Sequence, residues 1–160
     1  MKNLTLISII ILTFSLSSFG QHLGLTFQEA ERKGISITNL DTLYKSSLHT
    51  DITKAVFKTQ KEQESLQQAY IKLLKDFGKF LHVNNFRWKK QTKCFNRIYF
   101  SADGSIDYFL FNFLGKNEEK PSVDKQKEFQ RLLNVFIKNY KFSLTAKVKF
   151  AQCSPTTYTP

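Results

Sequence analysis

The chain has 160 residues, a formal net charge of +11 and 41% apolar residues. This length suits one domain with a substantial core, and the sixteen phenylalanines exclude a disordered chain because large aromatic side chains bury much area. The positive charge favours an anionic partner, although solubility alone also accounts for it.

Residues 1–20 have the layout of a secretory signal peptide. Lys2 supplies a basic start, an apolar run extends from Leu4 to Leu16, and small residues precede a predicted cleavage before Gln21. The run is too short for a membrane-spanning helix, and a retained membrane anchor is the alternative. We therefore expect a periplasmic or secreted protein whose mature net charge is about +10.

The N-terminal half of the mature chain is predicted to be mostly helical. Thr26 and Glu29 form a capping box for a short helix that ends at Gly34. Residues 35–39 alternate like a short strand, and residues 41–58 show a loose helical stripe. A longer helix follows, with apolar residues at steps of three and four: Leu66, Ala69, Tyr70, Leu73, Leu74, Phe77, Phe80 and Leu81.

After residue 85 the apolar period changes to two, which predicts strands. Residues 94–100 and 105–114 form two strands, joined by a hairpin turn at Asp103 and Gly104. The second strand is apolar on both faces, so we expect it to be central and covered on both sides.

The last third of the chain is predicted to contain one helix and one strand. An apolar stripe marks a helix over residues 124–140, and residues 144–150 alternate like a half-buried strand. Residues 154–160 are polar, which predicts a flexible tail after a single domain of residues 21–153. The whole pattern predicts an α+β fold, in which a small, mainly antiparallel sheet (the hairpin plus the C-terminal strand) packs against two or three helices.

Cys94 and Cys153 are the only cysteines. In an exported protein an even pair predicts one structural disulfide, which would be worth about 4 kcal/mol in the chain-entropy model. A redox-active or metal-binding pair is the alternative, but the spacing is not C-x-x-C and no histidine is nearby in sequence.

A cationic cluster surrounds the single tryptophan. Charge and an indole ring that can stack on a base or sugar suit an anionic polymer, so Arg87, Trp88, Lys89, Lys90 and Lys93 are a candidate anion-binding site. The favoured interpretation is that Trp88 is buried while the cations face water, because a lone tryptophan beside a strand is usually buried. We find no catalytic, metal-binding or phosphate-loop motif and therefore predict no enzyme activity and no cofactor.

Residues 97–150 resemble the C-terminal domain of TonB-type energy transducers. The resemblance rests on Arg97-Ile98-Tyr99-Phe100 before Asp103-Gly104, the returning strand from Ser105, the helix at 124–140, and Lys147-Val148-Lys149-Phe150. In that family such a unit engages a short segment of an outer-membrane transporter by strand pairing. The resemblance implies an exported adaptor with a similar sheet, and no functional residue is carried over from it.

These observations predict a non-enzymatic binding or adaptor protein of the cell envelope that captures an extended peptide at a sheet edge. The alternative is a basic protein that binds an anionic envelope polymer, a membrane surface or nucleic acid through residues 87–93. A secreted hydrolase with a non-standard site is a third hypothesis. The oligomeric state is left open.

Overall fold

The computed structural model describes residues 22–160, so the predicted signal peptide lies outside the described residues. This part of the chain forms five strands and four helices, with two short 3-10 turns between them. The elements are β1 (Leu23–Thr26), α1 (Phe27–Arg32), α2 (Ile37–Leu43), β2 (Lys45–Ser46), α3 (Gln60–Val83), β3 (Thr92–Phe100), β4 (Ile106–Phe113), α4 (Val123–Asn139) and β5 (Phe150–Tyr158).

The five strands form one mixed sheet in the order β1-β4-β3-β5-β2. The central strand β3 pairs antiparallel with β4 and with β5, whereas the short outer strands β1 and β2 pair parallel with β4 and β5. The α+β prediction is therefore confirmed. The antiparallel prediction holds only for the three central strands, because the N-terminal region contributes two parallel edge strands.

Helices α3 and α4 cover one face of the sheet, and their predicted apolar stripes are the buried ones. Phe129 of α4 lies in the middle of this core. Its ring contacts Trp88, Phe111 and Tyr158, with centroids 5.1 to 5.7 Å apart. Tilted and edge-to-face ring pairs of this kind add to the stabilisation from buried area.

The shorter helices α1 and α2 cover part of the opposite face, so β4 is buried on both sides as predicted. The capping box of Thr26 and Glu29 is confirmed at the start of α1. Residues 35–39 do not form a strand, because Ser36 caps α2 and the helix begins at Ile37. The helical prediction for residues 41–58 is wrong beyond Leu43, where the chain forms β2 and an irregular loop.

The C-terminal strand β5 begins at Phe150, the residue at which the predicted strand over residues 144–150 ends. Residues 144–149 run irregularly past the β3–β4 turn, and the Ala146 N–H donates to the Ala102 carbonyl at 3.0 Å. β5 then pairs with β3 over its whole length and buries Phe150 and Tyr158. The flexible-tail prediction for residues 154–160 is therefore wrong as far as Tyr158, because burial of that ring holds the end of the chain in the sheet.

The predicted disulfide is also wrong, because the two cysteines lie on opposite faces of the sheet. Cys94 is opposite Thr156, and Cys153 is opposite Arg97. Arg97 lies an odd number of residues from Cys94 along β3. Since side chains alternate between the faces of a strand, the Cys94 thiol points into the core and the Cys153 thiol points to the other face. Both thiols are free, with Cys94 fully buried and Cys153 exposed.

A buried acid ties the second face together. β4 carries a bulge opposite the Tyr99–Phe100 step, and this extra residue is Asp107. Its Oδ2 accepts hydrogen bonds from the hydroxyls of Tyr44 and Ser101, each at 2.7 Å. Burial and the neighbouring carboxylate raise the pKa of the Tyr44 phenol, so Tyr44 stays a donor.

We predict that a thiol reagent at about pH 8 labels Cys153 and leaves Cys94 unmodified in the folded protein. Burial raises the pKa of the Cys94 thiol to about 12, so little reactive thiolate forms there. Peptide mass mapping after labelling with N-ethylmaleimide measures this. Unfolding in guanidinium should make the Cys94 thiol available for labelling. The C153S variant should show no labelling before unfolding. A protein with no free thiol after unfolding without reductant would contradict the assignment.

We predict that Y44F lowers the free energy of unfolding by about 1.5–3 kcal/mol, because it removes a buried hydrogen bond to a charged acceptor. Y140F is the matched control, since its hydroxyl donates to the partly exposed Asp76 at 3.1 Å. Y140F should lower the free energy of unfolding less than Y44F does. Urea unfolding measures this change in both variants. Equal losses of unfolding free energy in the two variants would contradict the prediction, because the buried hydrogen bond to Asp107 would then contribute no more than the one to Asp76.

Candidate functional site

The two edges of the sheet differ in how their backbone groups are satisfied. At the β1 edge, the Gly24 N–H donates to the Asn134 side chain at 2.9 Å, and the Asn134 amide donates back to the Gly24 carbonyl at 2.9 Å. The Thr26 N–H donates to Glu29 at 3.0 Å. Side chains of α4 and α1 therefore close this edge in the way a neighbouring strand would.

At the other edge, β2 covers only the first two residues of β5. The register pairs Lys45 with Phe150 and Ser46 with Ala151. The outer side of β2 is covered in turn, because the Val56 N–H donates to the Ser46 carbonyl at 3.0 Å. Beyond Ala151, no described strand lies beside β5 on this side. Residues 152–158 thus form an open strand edge, which we call the β5 edge.

The alternation of the backbone shows which groups the β5 edge presents. The Lys149 and Ala151 carbonyls accept from the backbone N–H groups of Lys45 and Ser47, so the backbone of every second residue after them also faces away from β3. These residues are Cys153, Pro155 and Thr157. Pro155 lacks a backbone N–H, and an edge strand tolerates proline at a position where no neighbouring strand needs that donor. Thr157 presents both an N–H and a carbonyl.

Clefts flank the β5 edge on both faces of the sheet. On the α3 side, one cleft of about 430 Å³ lies between Tyr70 and Gln152, and a second of about 450 Å³ lies beside Thr157. On the opposite face, a cleft of about 520 Å³ contains Arg97 and Cys153. A strand added to this edge would direct alternate side chains to the two faces.

Polar groups along these clefts are held by neighbouring side chains. Arg97 pairs with Asp41 at 2.5 Å, and the Tyr99 hydroxyl also donates to Asp41 at 3.1 Å. On the α3 side the Ser154 hydroxyl donates to the Tyr70 hydroxyl at 2.8 Å. Burial raises the pKa of the Tyr70 phenol, so this group is neutral at physiological pH.

The predicted anion-binding cluster does not surround an exposed indole. Trp88 is 9% exposed, and its ring stacks on Tyr158 with centroids 5.0 Å apart. It cannot stack on a base or sugar without breaking the core around Phe129, so the indole takes no part in the candidate site, and the favoured interpretation that it is buried is confirmed. The C-terminal strand covers the ring through Tyr158.

The cations of the cluster are exposed, and two of them bind backbone carbonyl groups. The Arg87 guanidinium donates to the His82 carbonyl at 2.6 Å, and the Lys90 ammonium donates to the Glu118 carbonyl. Lys89 and Lys93 are exposed. Binding of an anionic polymer by these side chains stays a prediction.

The histidines are dispersed in the structure. Nδ1 of His22 donates to the Ile106 carbonyl at 2.8 Å, His49 lies in the loop after β2, and His82 lies in the last turn of α3. Across residues 22–160, no three histidine, cysteine or acidic side chains are grouped so as to hold a metal ion. Within the same residues, none of the helices has the length and apolarity needed to cross a membrane.

Comparisons with known proteins find no relatives of this chain. No family model matches it, and no curated protein or solved structure is significantly similar to it.

Proposed function

We propose that this protein is an exported, non-enzymatic adaptor that captures an extended peptide as an added strand on the β5 edge. The observation that carries the proposal is the contrast between the edges: Asn134 and Glu29 close β1, whereas β5 is open beyond Ala151. An unpaired strand edge is a template for a further strand, and main-chain hydrogen bonds would supply affinity.

The flanking clefts would supply specificity. An added strand along residues 153–157 spans about 17 Å and places side chains alternately on the two faces, where the clefts lie. Lys75 and Arg87 line the cleft beside Thr157, which has no acidic side chain in its lining, whereas Arg97 and Asp41 pair with each other on the opposite face and Glu64 lines the cleft beside Gln152. At the Thr157 end, charge complementarity therefore favours a peptide that carries acidic side chains.

The resemblance to TonB-type domains is in keeping with this proposal, since strand pairing with a partner segment is the mode of binding that it implies. The proposed location outside the cytoplasm rests on the signal-peptide pattern of residues 1–20.

We predict that the protein expressed in a Gram-negative host is processed before Gln21 and recovered from the periplasm. The apolar run and small residues before that position are what signal peptidase recognises. Cell fractionation and intact mass measure the location and the cleavage. Replacing Ile9, inside the apolar run, with arginine should block processing, because it interrupts the apolar region. Recovery of the unprocessed wild-type chain from the cytoplasm would contradict export.

We predict that T157P binds peptides at least about tenfold more weakly than the wild type, because proline removes the outward-facing N–H of the β5 edge. T157V is the matched control, since valine keeps that N–H and the β-branched shape. Peptides are first selected on the wild type from a displayed library, and affinities are then measured by isothermal titration calorimetry. Because the ladder to β3 does not use this N–H, T157P should fold normally.

A second measurement locates the bound peptide. The Thr157 amide should become protected from hydrogen exchange on peptide addition, and the Gly24 amide, which already has a partner, should change little. Equal affinity of T157P and T157V, or protection elsewhere on the surface, would contradict strand addition at this edge. Peptide binding that disappears in T157V as well would point to the side chain rather than to the backbone.

A further inference from the structure

A further cleft lies outside the β5 edge, on the far side of β2. It has a volume of about 880 Å³, within the range of small-molecule pockets. One wall is the loop from β2 to α3, and the other is the irregular stretch before β5. Four lysines line it: Lys45, Lys54, Lys58 and Lys147. We call it the lysine cleft.

The four lysines of the lysine cleft outnumber the two carboxylates that line it, Asp41 and Glu62. Asp41 is held by Arg97 at 2.5 Å. Glu62 caps α3 by accepting from the backbone N–H groups of Lys58 and Thr59 at 2.9 and 2.8 Å. These N–H bonds and the charge of Lys58 hold the pKa of the Glu62 carboxyl below its usual range, so it stays negatively charged and offsets only part of the lysine charge.

Among the described residues, the ammonium groups of Lys45 and Lys147 have no acidic partner, whereas Lys58 is attracted by the charge of Glu62 without forming an ion pair with it. Lys54 lies 3.6 Å from Asp51, but within residues 22–160 no carboxylate lies within ion-pair distance of Lys45, Lys58 or Lys147. These side chains come from three separate segments of the chain and converge on one cleft. Like charges gathered in this way raise the local potential and attract an anion.

The wall between the lysines is apolar and rigid. Phe57 is buried edge-on against Phe150, and Val56 and Ala146 pack against the main core. Backbone bonds hold both sides, since Phe57 donates to the Ser47 carbonyl at 3.1 Å and Ala146 donates to Ala102 at 3.0 Å. The cleft is therefore preformed, with an apolar floor and a cationic rim.

We infer that the lysine cleft binds a single-chain anionic amphiphile, with the acidic head among Lys45, Lys58 and Lys147 and the aliphatic chain on Val56, Phe57 and Val148. The rim matches a phosphate or carboxylate head by charge, and the floor matches a hydrocarbon chain by burial of apolar area. A free inorganic anion would use only the rim. A neutral amphiphile would use only the floor.

The test uses decyl phosphate, below the concentration at which it aggregates, as the probe in isothermal titration calorimetry. We expect one site per chain and binding at least about tenfold tighter than that of inorganic phosphate or of uncharged decyl maltoside. If inorganic phosphate binds as tightly, or if decyl maltoside does, the inference is overturned, because the head and the chain must both contribute.

Variants locate the site. The double variant K58Q/K147Q should weaken decyl phosphate binding at least about tenfold, because it removes two cations from the rim. K127Q/K138Q is the matched control, with the same change in net charge at exposed positions of α4, and should change binding less than about twofold. Equal weakening in both doubles would reduce the effect to overall charge and overturn the inference. V148D, at a partly exposed position of the floor, provides a second variant that should abolish binding without disturbing the buried core.

Discussion

The register of β5 on β3 is the constraint on which the rest of the structure depends. Nine consecutive residue pairs, from Thr92–Tyr158 to Phe100–Phe150, join the two strands without a shift. This pairing brings Tyr158 against Trp88 and so completes the aromatic core. The same register directs Cys94 inward and Cys153 outward. Within residues 22–160, it also leaves the other side of β5 without a neighbouring strand over most of its length.

The asymmetry of the sheet edges connects this architecture to binding. An open edge exposes unpaired backbone donors and acceptors, which proteins usually protect. Here α4 protects the β1 edge, because the side-chain amide of Asn134 makes the hydrogen bonds that a neighbouring strand would make. Along the β5 edge, Pro155 is the only residue that opposes the addition of another strand. Pro155 removes one donor and leaves Thr157 free to pair. The β5 edge and the lysine cleft are two surfaces separated by β2.

Long, strongly periodic segments were the predictable part of the fold. Helices α3 and α4 bury broad apolar stripes, and the β3–β4 hairpin has an Asp-Gly turn in which Gly104 adopts a positive φ, so local sequence is enough to specify them. The short strands β1 and β2 carry too few residues for a period to show. They are strands only because β4 and β5 offer them partners. The sequence therefore did not indicate where along the sheet an open edge would lie.

The amino-acid sequence by itself determined the α+β class, the two long helices and the strong positive charge, because each depends on composition or on contacts between near neighbours. Only the tertiary structure decided that Trp88 is buried, that Cys94 and Cys153 face opposite ways, and that Lys45, Lys58 and Lys147 line one cleft. The sequence 150–158 alternates weakly, with polar residues between Phe150 and Tyr158, and locally resembles a tail. Pairing with β3 makes it a strand, because the alignment of distant segments is set by burial of the whole core and not by any local preference.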